Sequence, residues 1–200
     1  MNKTSRLVLS GATVVVAGLA LAGCTINIGT PNNQGEHGGM MNSSQNSAGY
    51  SQQDLMFAEM MIPHHEQAVE MSTLAETRTT NAEVLALAKQ IKDAQTPEIE
   101  QMQGWLDASG SSEKTMDMDH MGHGMMGMLS DEQMTALENS QGAEFDRLYL
   151  EGMIEHHEGA IQMAHMIENS DNAEARKLAE AIVTSQTAEI KQMKQMLAAM

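Results

Sequence analysis

Cysteine is almost missing from this 200-residue chain: Cys24 is the only one. Acylated, as argued below, it leaves neither a disulfide nor a thiol ligand, so stability must come from helix packing. Positive charge is also scarce, with 11 Lys and Arg against 27 Asp and Glu. Such a surface repels nucleic acid and anionic headgroups, which excludes a nucleic-acid partner, and it concentrates cations nearby. Acidity alone says little about metal binding, because most acidic residues form solvated helix faces. No Ser/His/Asp, Cys/His or phosphate-binding arrangement is present, so no enzymatic activity is expected. The one apolar run, Leu7 to Leu21, is short for a membrane span.

That run sits inside an export signal. Lys3 and Arg6 precede it, and Leu21-Ala-Gly-Cys24 follows in the pattern of a bacterial lipobox. Residues 1–23 are therefore predicted to be removed, with Cys24 acylated as the mature N-terminus. The expected location is the bacterial cell envelope, outside the cytoplasm, with the lipid as membrane anchor. Cleavage removes Lys3 and Arg6, leaving 9 basic against 27 acidic residues, or −18. Residues 24–50 are rich in Asn, Gln, Ser and Gly and read as a flexible tether. It carries a small patch of Glu36, His37, Met40 and Met41.

Residues 51–200 hold a duplication. Residues 57–71 (FAEMMIPHHEQAVEM) and 149–163 (YLEGMIEHHEGAIQM) match at 8 of 15 positions, offset by 92. Phe57, Met61, His64, Ala68, Met71 and Ala75 step by 4 and 3, as do Tyr149, Met153, His156, Ala160, Met163 and Ile167. This is the seam of a helix packed on other helices, placing His64 and His156 in the seam and His65 and His157 on its shoulder. Met61 and Met153 lie one turn before the histidines, within reach of either ring. Burying four imidazoles is costly without a purpose, and Met-x-x-His-His in both copies points to a soft-metal site. Pro63 frees a backbone carbonyl and is expected to bend its helix beside His64.

A second helix pair repeats at an offset of 91. Residues 82–107, with Asn81 as N-cap, are matched by residues 173–199. Ala88, Ile91, Gln95, Glu98 and Met102 form a stripe, as do Ala179, Ile182, Gln186, Glu189 and Met193. Polar residues in mid-seam leave two readings open. The Gln and Glu side chains hydrogen-bond imidazoles of the partner helix, or the stripe is rotated so that Ile99 and Ile190 are buried instead.

Between the two hairpins, at about 109–129, lies a Met/His-rich linker. It contains Met116, Met118, His120, Met121, His123, Met125, Met126 and Met128 among four glycines and aspartates at 117 and 119. It has no amphipathic period, so core packing does not explain its methionines. Thioethers suit Cu(I), whereas His and Asp also hold Cu(II).

The duplicated Met-x-x-His-His-x-x-Ala-x-x-Met helices, each followed by Gln-Thr-x-Glu-Ile-x-x-Met, resemble domain of unknown function family 305 over about residues 51–200. The resemblance implies a ferritin-like four-helix fold, an exported location and, from some members, copper binding. Residues mapping onto the family motif are Met61, His64, His65, Met71, Met153, His156, His157 and Met163.

The expected fold is thus all-α, an antiparallel four-helix bundle made of two duplicated hairpins. The expected function is an extracytoplasmic copper-binding lipoprotein that sequesters copper or passes it to a copper-handling protein. Cu(I) is favoured over Cu(II), and Ag(I) should bind similarly. Tight binding is expected at Met61, His64, Met153 and His156, with His65, His157, Met71 and Met163 adjacent and the linker binding more weakly. The alternatives are a ferritin-like di-metal oxidase and a structural lipoprotein with Met-rich interaction surfaces. The oxidase requires Glu-x-x-His units, and no His here has Glu three residues before it.

Overall fold

Ser51 opens the first helix through a reciprocal cap, its hydroxyl accepting from the Asp54 amide and the Asp54 carboxylate accepting from the Ser51 amide. The computed structural model describes residues 49–111 and 126–200. Cys24, the 24–48 part of the tether and the linker residues Met116, Met118, His120, Met121, His123 and Met125 lie outside these. The described chain is all-α: α1 (Gln52–Arg78), α2 (Ala82–Ser109), α3 (Asp131–Asn139), α4 (Ala143–Ala164) and α5 (Ala173–Ala199). No strand occurs among the described residues, and none of their helices is long and apolar enough to cross a membrane.

Four of these helices are the duplicated ones, and α3 is an addition. Its start carries the same box, Ser130 with Gln133. Asn81 and Asn172 cap α2 and α5 by accepting from amides two or three residues on. Helix α1 continues through Pro63, and α2 through Pro97. The α4–α5 connection is longer than the repeat predicts: α4 stops at Ala164, short of Ile167. There Met166 and Ile167 amides turn to carbonyls three residues back, and the Met166 carbonyl accepts from Gln53 of α1.

A tight turn closes the first hairpin and the longer 165–172 connection the second, and the hairpins meet chiefly through α1 and α4. These two run antiparallel. The Ser72 hydroxyl bonds Tyr149 at 3.0 Å, the His64 ring lies tilted against that of His156, and Gln53 reaches Met166. Helices α2 and α5 do not pack closely and leave a groove between them.

The interior is divided. One apolar cluster joins Met71, Leu87, Ile91, Phe145, Tyr149, Met153 and Met193. The other joins Phe57, Met61, Met102, Trp105, Met163 and Ile182. Between them on α1 and α4 lies a polar belt of the four histidines, all fully buried, with Gln95 and Gln186 at 2 % exposure. The seam is therefore apolar at both ends and polar in the middle.

Candidate metal centre

His64 and His156 come from different copies of the repeat, yet their ring centroids are 3.7 Å apart. The antiparallel crossing of α1 and α4 brings the two motifs into one cluster. His65 and His157 flank this pair, with centroids 6.4 and 6.3 Å from their neighbours. The shoulder positions are as buried as the seam ones, because α2 and α5 cover them with carboxylates. Glu98 accepts from His65 Nε2 at 2.8 Å, and Glu189 accepts from His157 Nε2 at 2.8 Å. The mid-seam glutamates thus follow the imidazole-bonding reading, and Ile99 and Ile190 are only partly buried. Gln95 and Gln186 are buried beside the belt, but neither makes a hydrogen bond to an imidazole.

These bonds fix ring chemistry. A carboxylate or carbonyl oxygen only accepts, so Nε2 carries the proton in His65 and His157. The same holds for His64, whose Nε2 donates to the Met126 carbonyl at 3.0 Å. In a neutral ring the lone pair then sits on Nδ1, and Nδ1 of all three lacks a hydrogen-bond partner, as do both nitrogens of His156. Five buried ring nitrogens without a partner, each costing on the order of 1–3 kcal/mol, lie in one small volume. Burial holds His64 well below its ordinary pKa, at about 3, with the His65 charge lowering it further against the Met126 bond. Burial also pushes His156 well down, aided by His64, and lowers His157 against the opposing pull of Glu189. These three rings are neutral lone-pair donors at pH 7.

Thioethers flank the belt. Met61 shares its cluster with Met102, and Met153 shares the other with Met193. In the register of the His65–Glu98 and His157–Glu189 pairs, Met102 lies opposite Met61 and Met193 opposite Met153. Met102 and Met193 are candidate donors outside the Met-x-x-His-His motif, on the second helix of each hairpin. Their signal was the step of four from Glu98 and Glu189, kept in both copies. Met71 and Met163, seven residues from His64 and His156, stand about 10 Å further along their helices, inside the apolar clusters. The described residues contain no group of three or more His, Cys, Asp or Glu able to hold a metal.

The end of the linker is built into the site. Besides the Met126 carbonyl on His64, Leu129 exchanges two hydrogen bonds with the Gln67 side chain, at 2.8 and 3.0 Å. Gly159 occupies the repeat position of Gln67, and a Cβ there would fall 1.7 Å from the Met126 oxygen. A Cβ on Gly127, at φ +82°, would fall 2.3 Å from the Glu155 carbonyl oxygen. One copy grips this strap with an amide and the other makes room for it. Gly159→Ala is expected to displace the strap and destabilise the protein by about 1–3 kcal/mol, read as a lower urea midpoint with unchanged slope. The Met126 side chain itself is 41 % exposed.

The family described as Domain of unknown function (DUF305) matches residues 54–197. No curated protein matches the sequence. Among solved structures, a DUF305 protein from Streptomyces coelicolor described as secreted is similar at 37% identity and a TM-score of 0.68, covering 74% of this chain and 93% of its own. CopM in the Cu(II)-bound form is similar at 36% identity and a TM-score of 0.60, covering 73% of this chain and 96% of its own. CopM in the Cu(I)-bound form gives 33%, 0.58, and the same shares.

Proposed function

This chain belongs to the DUF305 family, and on that premise we propose that it is an extracytoplasmic copper-binding protein. It takes up Cu(I), with Cu(II) as a second cargo, and stores it or hands it to a copper-handling partner. The observation that carries this reading is the set of five partnerless imidazole nitrogens buried between the pairs Met61/Met102 and Met153/Met193. A neutral ring carries one lone pair, so one His156 nitrogen keeps its proton, and coordination would satisfy the lone pair of each ring. Met has no proton to lose and burial keeps His64, His156 and His157 neutral, so copper displaces few protons from these donors at pH 7. CopM, solved with Cu(I) and with Cu(II), supports the same cargo. We read the four long helices as an antiparallel ferritin-like bundle that holds the donors in place.

The role is binding rather than catalysis. A di-metal oxidase would draw on Glu98 and Glu189, and both are engaged as acceptors of imidazole protons. Linker residues Met116, Met118, His120, Met121, His123 and Met125 act as a first catch. We place the protein in the cell envelope, tethered through acylated Cys24. Cys24→Ala should move it out of the detergent phase after solubilisation, and unchanged partitioning would reject the lipid anchor.

Anaerobic Cu(I) titration against a competing chelator tests the function. Copper retained against the chelator supports it, as does displacement of that copper by Ag(I). Copper stripped at the first equivalent of chelator would leave a structural lipoprotein as the better reading.

A further inference from the structure

The four imidazoles are fully buried, so an ion that reaches them must cross the protein surface somewhere. Two carboxylates connect the belt to the outside, and the repeat treats them unequally. Glu189 is 5 % exposed as a side chain and Glu98 is 17 % exposed. Gln90 of α2 reaches across and donates to Glu189 Oε1 at 2.9 Å, covering that side. At the offset of 91 that relates α2 to α5, the counterpart of Gln90 is Ala181. Its side chain ends at Cβ and cannot make the equivalent bond to Glu98. Where that bond would lie, a groove of about 380 Å³ opens between α2 and α5, lined by Pro97, Glu98, Gln101, Leu178, Ala181 and Ser185.

We propose that this groove, opened by Ala181 and floored by Glu98, is the port through which a soft monovalent cation enters and leaves the buried histidines. The proposal rests on the copper reading above. From the groove, donors follow in file. Glu98 lies 2.8 Å from His65, the His65 ring 6.4 Å from that of His64, and His64 3.7 Å from His156. The file then continues to His157 and ends at Glu189 under Gln90. One end is open and the other is sealed. A carboxylate at the open mouth draws in a cation and exchanges its water before the imidazoles take it. Lys177 also lines the groove, beside Leu178, so entry runs past the opposite end, near Ser185.

Ala181 and Gln90 are exposed, and neither is placed among the copper donors, so exchanging their side chains leaves the site intact. Anaerobic stopped-flow transfer of Cu(I) from a chromophoric bis-chelate to the full-length protein reads the port directly. The buried site is identified as the kinetic phase that disappears in His64→Ala/His156→Ala. In Ala181→Gln that phase should slow by about tenfold or more, the effect of opening a hydrogen bond to a carboxylate before each entry. Copper held at equilibrium should not change. Gln90→Ala should leave the phase as fast or make it faster, by opening a second mouth. An Ala181→Gln protein that loads at the natural rate overturns the port while leaving the copper reading in place. If no phase depends on His64 and His156, the copper reading fails and the port with it.

Discussion

Replacing both His64 and His156 with Ala is expected to weaken Cu(I) binding by at least about 100-fold while the helices remain folded. Loss of a group that merely orients a metal ligand typically costs 10–100-fold, and this pair removes ligands from the centre of the cluster. The fold should tolerate the change. Three of the five partnerless ring nitrogens belong to these two residues, so truncation relieves a burial penalty as it leaves a cavity. The contrasting variant lacks residues 116–125, ending before Met126 so that the strap on His64 and the Gly127 crossing are kept. It should retain the tight copper. Ordering backbone around an ion costs roughly 1–2 kcal/mol of entropy per residue, whereas helix packing already holds the belt. Anaerobic chelator competition on both variants checks the pair. Tight binding lost with the linker and kept without the histidines would reassign the site to the linker.

Acid should destabilise the metal-free protein through the same residues. His64 has a folded pKa of about 3 against 6.5 unfolded, and those of His156 and His157 are also lowered. Between these values the unfolded chain binds more protons than the folded one, so stability rises with pH across this window and falls as pH drops. From pH 7 to pH 4, His64 alone accounts for about 3 kcal/mol, a large part of a typical total of about 5–15 kcal/mol. Urea midpoints should fall steeply below pH 6.5, and His64→Ala/His156→Ala should flatten the profile. A flat profile in the natural protein would mean that the rings are solvated. At the folded His64 ring, protons should compete with copper only as pH approaches its lowered pKa of about 3.

Much of this arrangement was legible in the residues because it is periodic and duplicated. The 4–3 stepping through His64 and His156 located the buried rings, and Asn81 marked a helix start from its own chemistry. Less visible was whatever depends on the other hairpin. Glu98 and Ile99 sit about 100° apart on one helix, so periodicity could not choose between them. The buried His65 ring makes that choice by offering a proton to Glu98. The full burial of the shoulder histidines was likewise not visible in α1 and α4 alone, since their covers come from α2 and α5. The strap was hidden because its contact with His64 is a backbone carbonyl, to which any residue at 126 contributes equally. Its trace was the divergence of the repeat at Gln67 and Gly159. Helix α3 did carry a local signal, Ser130-x-x-Gln133, but the glycine-rich run before it drew the linker reading out to 129.

X-ray absorption at the copper edge, on the Cu(I)-loaded protein lacking residues 116–125, tests the central claim most directly. Imidazole nitrogen from the His64/His156 cluster together with thioether sulfur should appear around the metal, and the nitrogen signal should vanish in His64→Ala/His156→Ala. A copper environment without sulfur, or one that the His variant leaves unchanged, would contradict the buried site.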